Sequence, residues 1–319
     1  MLDDNKDFDV LDSDTLWVQE LQNLLNFEAF KKNHKKLCDA VYGVAIGDAL
    51  GVPFEFESRN TFQCVGMVGH GTHDQPAGTW SDDTSMILAT LQSIKEKHEI
   101  DVDDIREKFL SWVNESKYTA TGELFDIGHT TLKALKRGRG MDGKFENGNG
   151  SLMRILPLAF ADWSDEDIRE VSSITHAHHI STEACVIYIH IARRLLEGES
   201  IDHIIPSLIY DAPFDRLWNI NTLAETDIQS SGYVVDTLEA ALWAISCKGV
   251  DAKTGLPYVH GFKEDLIRAV NLGDDTDTTG AVAGGLLGII YGLNQVQDWV
   301  ALLQGRNVLE EVLSIPKKQ

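Results

Sequence analysis

From Leu37 onward, apolar residues recur three or four positions apart, the spacing of a helix with one buried face. Leu37, Val41, Val44 and Asp48 share one such face, and Ile87, Leu88, Leu91 and Ile94 another. Ala184, Ile187, Ile191 and Leu195 make a third, and Val235, Leu238, Leu242 and Ile245 a fourth. Val282, Leu286, Ile289 and Leu293 make the last strong one. Strict alternation is scarce, and there is no βαβ rhythm and no internal repeat. The pattern predicts an all-α single domain, with loops over residues 51–79, 138–150 and 212–232.

Residues 1–36 read differently, as an acidic N-terminal extension to a body over 37–319. Through Glu28 there are eight acidic residues against one lysine, Lys6. Trp17, Leu21, Leu24 and Leu25 then form a helical stripe, and Lys31, Lys32, Lys35 and Lys36 a basic patch. An acidic tail leading into a short amphipathic helix is expected. That helix docks on the body or serves as an arm for a partner.

Two stripes are made of glycine. Gly43, Gly47 and Gly51 recur every four residues, as do Gly280, Gly284, Gly288 and Gly292. A glycine inside a helix costs about 0.5–1 kcal/mol relative to alanine. Close approach of two helix backbones offsets that cost, and such packing brings two helix starts together.

Charge narrows the function classes. Fifty Asp and Glu oppose 28 Lys and Arg, a net charge of -22. Nucleic-acid affinity rests on Lys and Arg neutralising phosphates, so this chain is not expected to bind DNA or RNA. It suits metal cations or a basic partner. Cys38, Cys64, Cys185 and Cys247 lie too far apart for a zinc or redox pair and read as reduced core thiols. The opening residues lack the basic and apolar regions of a signal peptide. The longest apolar stretch, 281–293, is too short to span a bilayer, so a cytoplasmic protein without membrane contact is expected.

Two acidic clusters precede helical stripes: Trp80-Ser81-Asp82-Asp83-Thr84, and 271–279 with Asp274, Asp275, Asp277, Thr276, Thr278 and Thr279. Ser81 or Asp82 as an N-cap accounts for part of the first. The rest exceeds any capping need. Crowded carboxylates repel unless a cation neutralises them, and hard cations prefer oxygen ligands. The clusters by themselves name no reaction.

The motifs as a set resemble the ADP-ribosylglycohydrolase family, including its dinitrogen-reductase-activating members. The resemblance runs from about Leu37 to Gly292. It rests on the run from Gly43 to Phe56, on Trp80-Ser81-Asp82-Asp83-Thr84, and on Asp126-Ile127-Gly128. It continues through the run from Asn149 to Leu158, Ile174-Thr175-His176-Ala177-His178, the run from Gly232 to Leu238, and the second acidic cluster. It implies an orthogonal, multi-helix, all-α fold and a hydrolase that removes ADP-ribose from a protein side chain. It implies two divalent ions, Mg²⁺ or Mn²⁺, on Ser81, Asp82, Asp83, Asp275, Asp277 and Thr278. Glu55, Asp83 and Asp126 become the catalytic carboxylates, with Asp126 the candidate general base. The turn at Asn149, Gly150 and Ser151 would offer backbone N–H groups to the diphosphate, and Met153 and His176 would line the ribose and adenine. Asp48 is expected to play a structural role. Two positions depart from the family pattern: Ser81 replaces a frequent Thr and Asp274 a frequent Gly.

Three other readings stay open: an inactive binding or structural protein on this fold, an immunity protein opposing an ADP-ribosylating toxin through residues 1–36, and a metal-dependent phosphatase. Arginine is the expected acceptor. Sequence does not decide between arginine and serine, or between Mg²⁺ and Mn²⁺.

Overall fold

The computed structural model describes residues 13–251 and 253–314. They form thirteen α-helices joined by loops and 3₁₀ turns, with strand pairing limited to isolated bridges. The helices are α1 (Ser13–Lys32), α2 (His34–Gly51), α3 (Asp82–Lys97), α4 (Val102–Glu115), α5 (His129–Arg137), α6 (Asp165–Ser173) and α7 (His179–Leu196). After them come α8 (Ile201–Ile204), α9 (Val234–Ser246), α10 (Phe262–Val270), α11 (Thr276–Tyr291), α12 (Gln297–Leu302) and α13 (Arg306–Leu313). The all-α expectation holds. Each strong stripe falls on one helix, except that Leu293 lies past the end of α11, which Gly292 terminates with φ 63°.

The centre is the pair α2 and α11. Their glycine stripes face each other. A Cβ on Gly47 would stand 2.0 Å from the Gly280 carbonyl oxygen, and one on Gly43 2.1 Å from that of Gly284. No other residue permits this approach, and it offsets the propensity cost of the glycines. The seam continues to Gly51, where a Cβ would lie 2.4 Å from the Asp277 backbone. The end of α2 is thereby fixed against the start of α11. Helices α3, α7, α9 and α10 pack around this pair.

Among the described residues one segment, His34–Phe54, is long and apolar enough to cross a bilayer, whereas the sequence reading weighs only the 281–293 run and sets it aside as too short. Its mean hydropathy is 1.4, but 83% of the window is buried inside the protein, as befits a core helix. The four cysteines are unpaired, and Cys64, Cys185 and Cys247 are buried.

Helix α1 spans 20 residues, more than the short helix the stripe suggested. Its second half is docked, for Asn26 and Phe30 are buried and the Phe27 ring stacks on His98 at 3.8 Å. Ahead of Asn26, Val18, Leu21, Leu24 and Leu25 stay exposed. The acidic tail before Ser13 and the Trp17 side chain lie outside the described residues.

Candidate active site

The two acidic clusters meet where α2, α3 and α11 converge. Ser81 occupies the N-cap position of α3, but its side chain makes no capping bond. Asp48 of α2 does that work. Its Oδ1 accepts the Ser81 N–H at 2.8 Å, and its Oδ2 accepts the Thr84 N–H at 3.0 Å and the Thr84 hydroxyl at 2.6 Å. The structural role expected of Asp48 is therefore concrete. It satisfies the orphan donors of α3 and leaves Asp82 and Asp83 free of that duty. On the other side, the Thr276 hydroxyl donates to the Gly51 carbonyl at 2.8 Å and pins the start of α11 to the end of α2.

Asp277 belongs to two groups of carboxylates whose candidate ligand atoms lie within 4.8 Å of one another: Asp48, Asp83 and Asp277, and Glu55, Asp275 and Asp277. Asp83 and Asp277 are each 1% exposed. Burial pushes both carboxyls well above the ordinary range, and neighbouring carboxylates, Asp48 for Asp83 and Glu55 for Asp277, push further. Asp82 is driven up in the same way, by burial and then Asp126. Burial raises Asp275, takes Asp48 to about 6 and takes Glu55 to about 7. Asp83 Oδ1 and Asp275 Oδ1 are buried without a hydrogen-bond partner. Orphaned anionic oxygens of this kind call for a cation, so the acidic cluster can hold metal ions. Ser81 and Thr278 add hydroxyls, each donating to Asp83 Oδ2, at 3.1 and 3.4 Å.

These groups floor a cleft of about 330 Å³, within the size range of small-ligand sites. Glu55, Asp82, Asp126, Asp275 and Thr278 line its acidic wall, while Asp83, Asp277 and Ser81 lie beneath. The opposite wall carries Asn149, Gly150, Met153 and His176. Asn149 joins the walls, because its amide donates to Asp275 Oδ2 at 2.8 Å. Ser151 is the exception among the expected substrate residues. Its hydroxyl is buried against Ser172 Oγ at 2.9 Å and Cys185 Sγ at 3.5 Å, and the residue is fully buried behind Gly150 rather than in the cleft lining. Burial and the Arg154 charge push His176 down to about 3, so its imidazole is neutral.

One contributor escaped the sequence reading. His73 Nε2 contacts Glu55 Oε2, and the same ring lies 5.3 Å from Phe125, the neighbour of Asp126. It joins Glu55 to the loop that carries Asp126. Asp274, exposed on the rim, has φ 57°. That left-handed geometry suits glycine, the frequent residue at this position, and nothing in the structure explains the aspartate that replaces it.

A model of the ADP-ribosylglycohydrolase family matches residues 31–318. The ADP-ribosylarginine hydrolase Tri1 of Serratia proteamaculans is 32% identical over 281 residues, covering 82% of this chain and 73% of its own. The ADP-ribosyl-[dinitrogen reductase] glycohydrolase of Rhodospirillum rubrum is 29% identical over 287 residues, covering 85% and 90%. A solved structure described as an ADP-ribosylglycohydrolase-related protein complex superposes with a TM-score of 0.73 at 29% identity, covering 89% of this chain and 97% of its own.

Proposed function

The chain belongs to the ADP-ribosylglycohydrolase family, whose members hydrolyse glycosidic bonds to ADP-ribose, and from that premise we propose that it removes ADP-ribose from arginine on a modified protein, using two divalent ions, Mg²⁺ or Mn²⁺. The observation that carries the metal reading is Asp277, shared between two buried acidic groups as a bridging carboxylate would be. The arginine reading draws on likeness to an ADP-ribosylarginine hydrolase.

We assign Asp83, Asp275 and Asp277 as principal metal ligands, completed by Asp82, Ser81 and Thr278. Bound there, the ions supply Lewis acidity and fix the ribose hydroxyls. The protein does the rest. Asp126, on the cleft wall, accepts a proton from the water that bonds to ribose C1. The C1–N bond breaks, and that proton leaves with the arginine guanidine. Glu55, held by His73 and raised to about 7 by burial, lines the same cleft and orients that water without exchanging a proton of its own. In the turn of Asn149, Gly150 and Ser151, the Gly150 backbone is the part that faces the cleft and receives the diphosphate, and Met153 and His176 bound the ribose and adenine. The test measures ADP-ribose release from arginine- and serine-modified peptides with each metal. Much faster cleavage of the serine link would sink the arginine assignment.

We further propose that residues 1–36 serve as an arm toward a protein partner, an ADP-ribosyltransferase toxin whose NAD-binding cleft is basic. The exposed Val18, Leu21, Leu24 and Leu25 support this, together with the acidic run up to Glu28. Removing residues 1–25 takes away the exposed stripe and spares the docked part of α1 from Asn26 onward. Hydrolase activity should persist while toxin binding is lost. Unchanged binding would remove the arm's role.

A further inference from the structure

Two hydrogen bonds from His176, through Thr175, lies a guanidinium with no carboxylate partner among the described residues. Arg154 is fully buried, stacked 4.7 Å from the Phe109 ring centre, and its Nε and Nη1 have no hydrogen-bond partner. Its Nη2 donates to the carbonyls of Val171 and Ser172, at 3.1 and 3.4 Å, and to the Thr175 hydroxyl at 2.9 Å. That hydroxyl lies 2.9 Å from His176 Nδ1.

The direction of the last bond follows from counting donors. A guanidinium only donates, so Thr175 Oγ1 accepts from Arg154. Thr175 is fully buried, and its hydroxyl has no other partner among the described residues. If Nδ1 carried the proton, the hydroxyl would accept twice and its own hydrogen would be stranded in the core, a costly arrangement. The hydroxyl therefore donates to Nδ1. The ring proton then sits on Nε2, which has no hydrogen-bond partner among the described residues. His176 is 2% exposed and lines the cleft. Gly150 keeps this nitrogen open, since a Cβ there would meet His176 Cε1 at 2.7 Å and Nε2 at 3.2 Å, whereas one on Gly148 would make only an ordinary contact at 3.6 Å.

We propose that Arg154, acting through Thr175, is a positioning residue that holds His176 as the Nε2–H tautomer, so that the ring donates a hydrogen bond to an oxygen of the ADP-ribosyl group. The identity of that group rests on the proposed function, whereas the tautomer does not. The nearby cation also opposes a second proton on the ring. This part of the lining thus offers a directed donor without net charge, in the same cleft as the acidic cluster.

The test uses the full chain with ¹⁵N-labelled histidine. His176 is assigned by the resonances that vanish in His176→Gln. Wild type should show the Nε2–H pattern. Thr175→Val should give mixed tautomers and bind ADP-ribose about three- to tenfold more weakly by calorimetry, with Mn²⁺ affinity unchanged as a check on the fold. Thr175→Ser should restore both. An Nδ1–H pattern in wild type, or an unchanged tautomer in Thr175→Val, overturns the inference. If wild type shows the expected tautomer but binds no ADP-ribose, the functional reading fails and the lock stands.

Discussion

Where α2 crosses α11 at Gly47 and Gly280, two backbones touch with no side chain between them. One turn further along α2, at Gly51, the same approach delivers Asp277 into a crowd of buried carboxylates. The first contact stabilises by close packing. The second opposes folding, because burial and like charge both disfavour ionised carboxylates. Function requires the second, and the seam supplies the rigidity that enforces it. The two ends of one helix pair should therefore respond to mutation with opposite signs.

The sharpest contrast is expected from Asp277→Asn. It removes the charge shared by both acidic groups while keeping the shape. Metal binding should fall, and hydrolysis should drop by at least about 100-fold. The metal-free protein should meanwhile gain stability at pH 8, on the order of 1 kcal/mol, as repulsion is relieved. Calorimetry with Mn²⁺ and denaturant melts measure the two effects. Retained metal affinity would remove Asp277 from the centre. A less stable metal-free protein would show that the carboxylates are not in conflict.

Gly47→Ala tests the other end. The added methyl cannot avoid the Gly280 carbonyl at 2.0 Å, so the helices must separate. Overpacking of this kind costs about 1–3 kcal/mol, more than the helix propensity alanine returns. Activity should fall too, because Asp277 and Asp83 ride on the displaced helices. Urea denaturation that left the midpoint unchanged would contradict the seam.

Acidity should separate the two ends without any mutation. Glu55 and Asp48 have carboxyls raised to about 7 and about 6 in the folded metal-free chain. The folded state then holds more protons than the unfolded state from about pH 4 to 7. Stability must fall as pH rises through that window. A Tm drop of roughly 5 °C between pH 5 and pH 8 is expected, with Mg²⁺ reversing it at pH 8 and doing little at pH 5. A metal-free Tm that rises across the window would overturn this account. The seam has no titrating group and contributes nothing to the slope.

How much of this was legible beforehand depends on the range of the interaction. The α2–α11 pair was readable because glycine every fourth residue has few local explanations. The acidic clusters were readable because their oxygens exceed what two helix caps use. The capping of α3 by Asp48 was not, since it joins residues 33 to 36 positions apart through a tertiary contact. His73 sits in an aperiodic loop and gains meaning only from Glu55 and Phe125. Arg154 was hidden for a different reason: arginines are rarely buried without a carboxylate, and nothing in the run from Asn149 to Leu158 marks one that is.

The smallest effect expected concerns apolar residues that belong to neither end. Leu21 and Leu24 are exposed on α1, while Phe30 on the same helix is buried in the core. Burial, rather than hydrophobicity, sets what each contributes to folding. Phe30→Ala should cost about 3 kcal/mol, whereas Leu21→Glu with Leu24→Glu should change stability by no more than about 0.5 kcal/mol. Hydrolysis should be unaffected, because the cleft is lined by residues no earlier than Glu55. Leucines that cost nothing to fold and nothing to catalysis are then available for a partner. A pull-down against the proposed toxin decides between the two uses. Lost binding by the double variant, with melting and activity intact, assigns the stripe to recognition. A double variant that melts early would show that the stripe packs on its own protein, and the arm would have to be sought elsewhere.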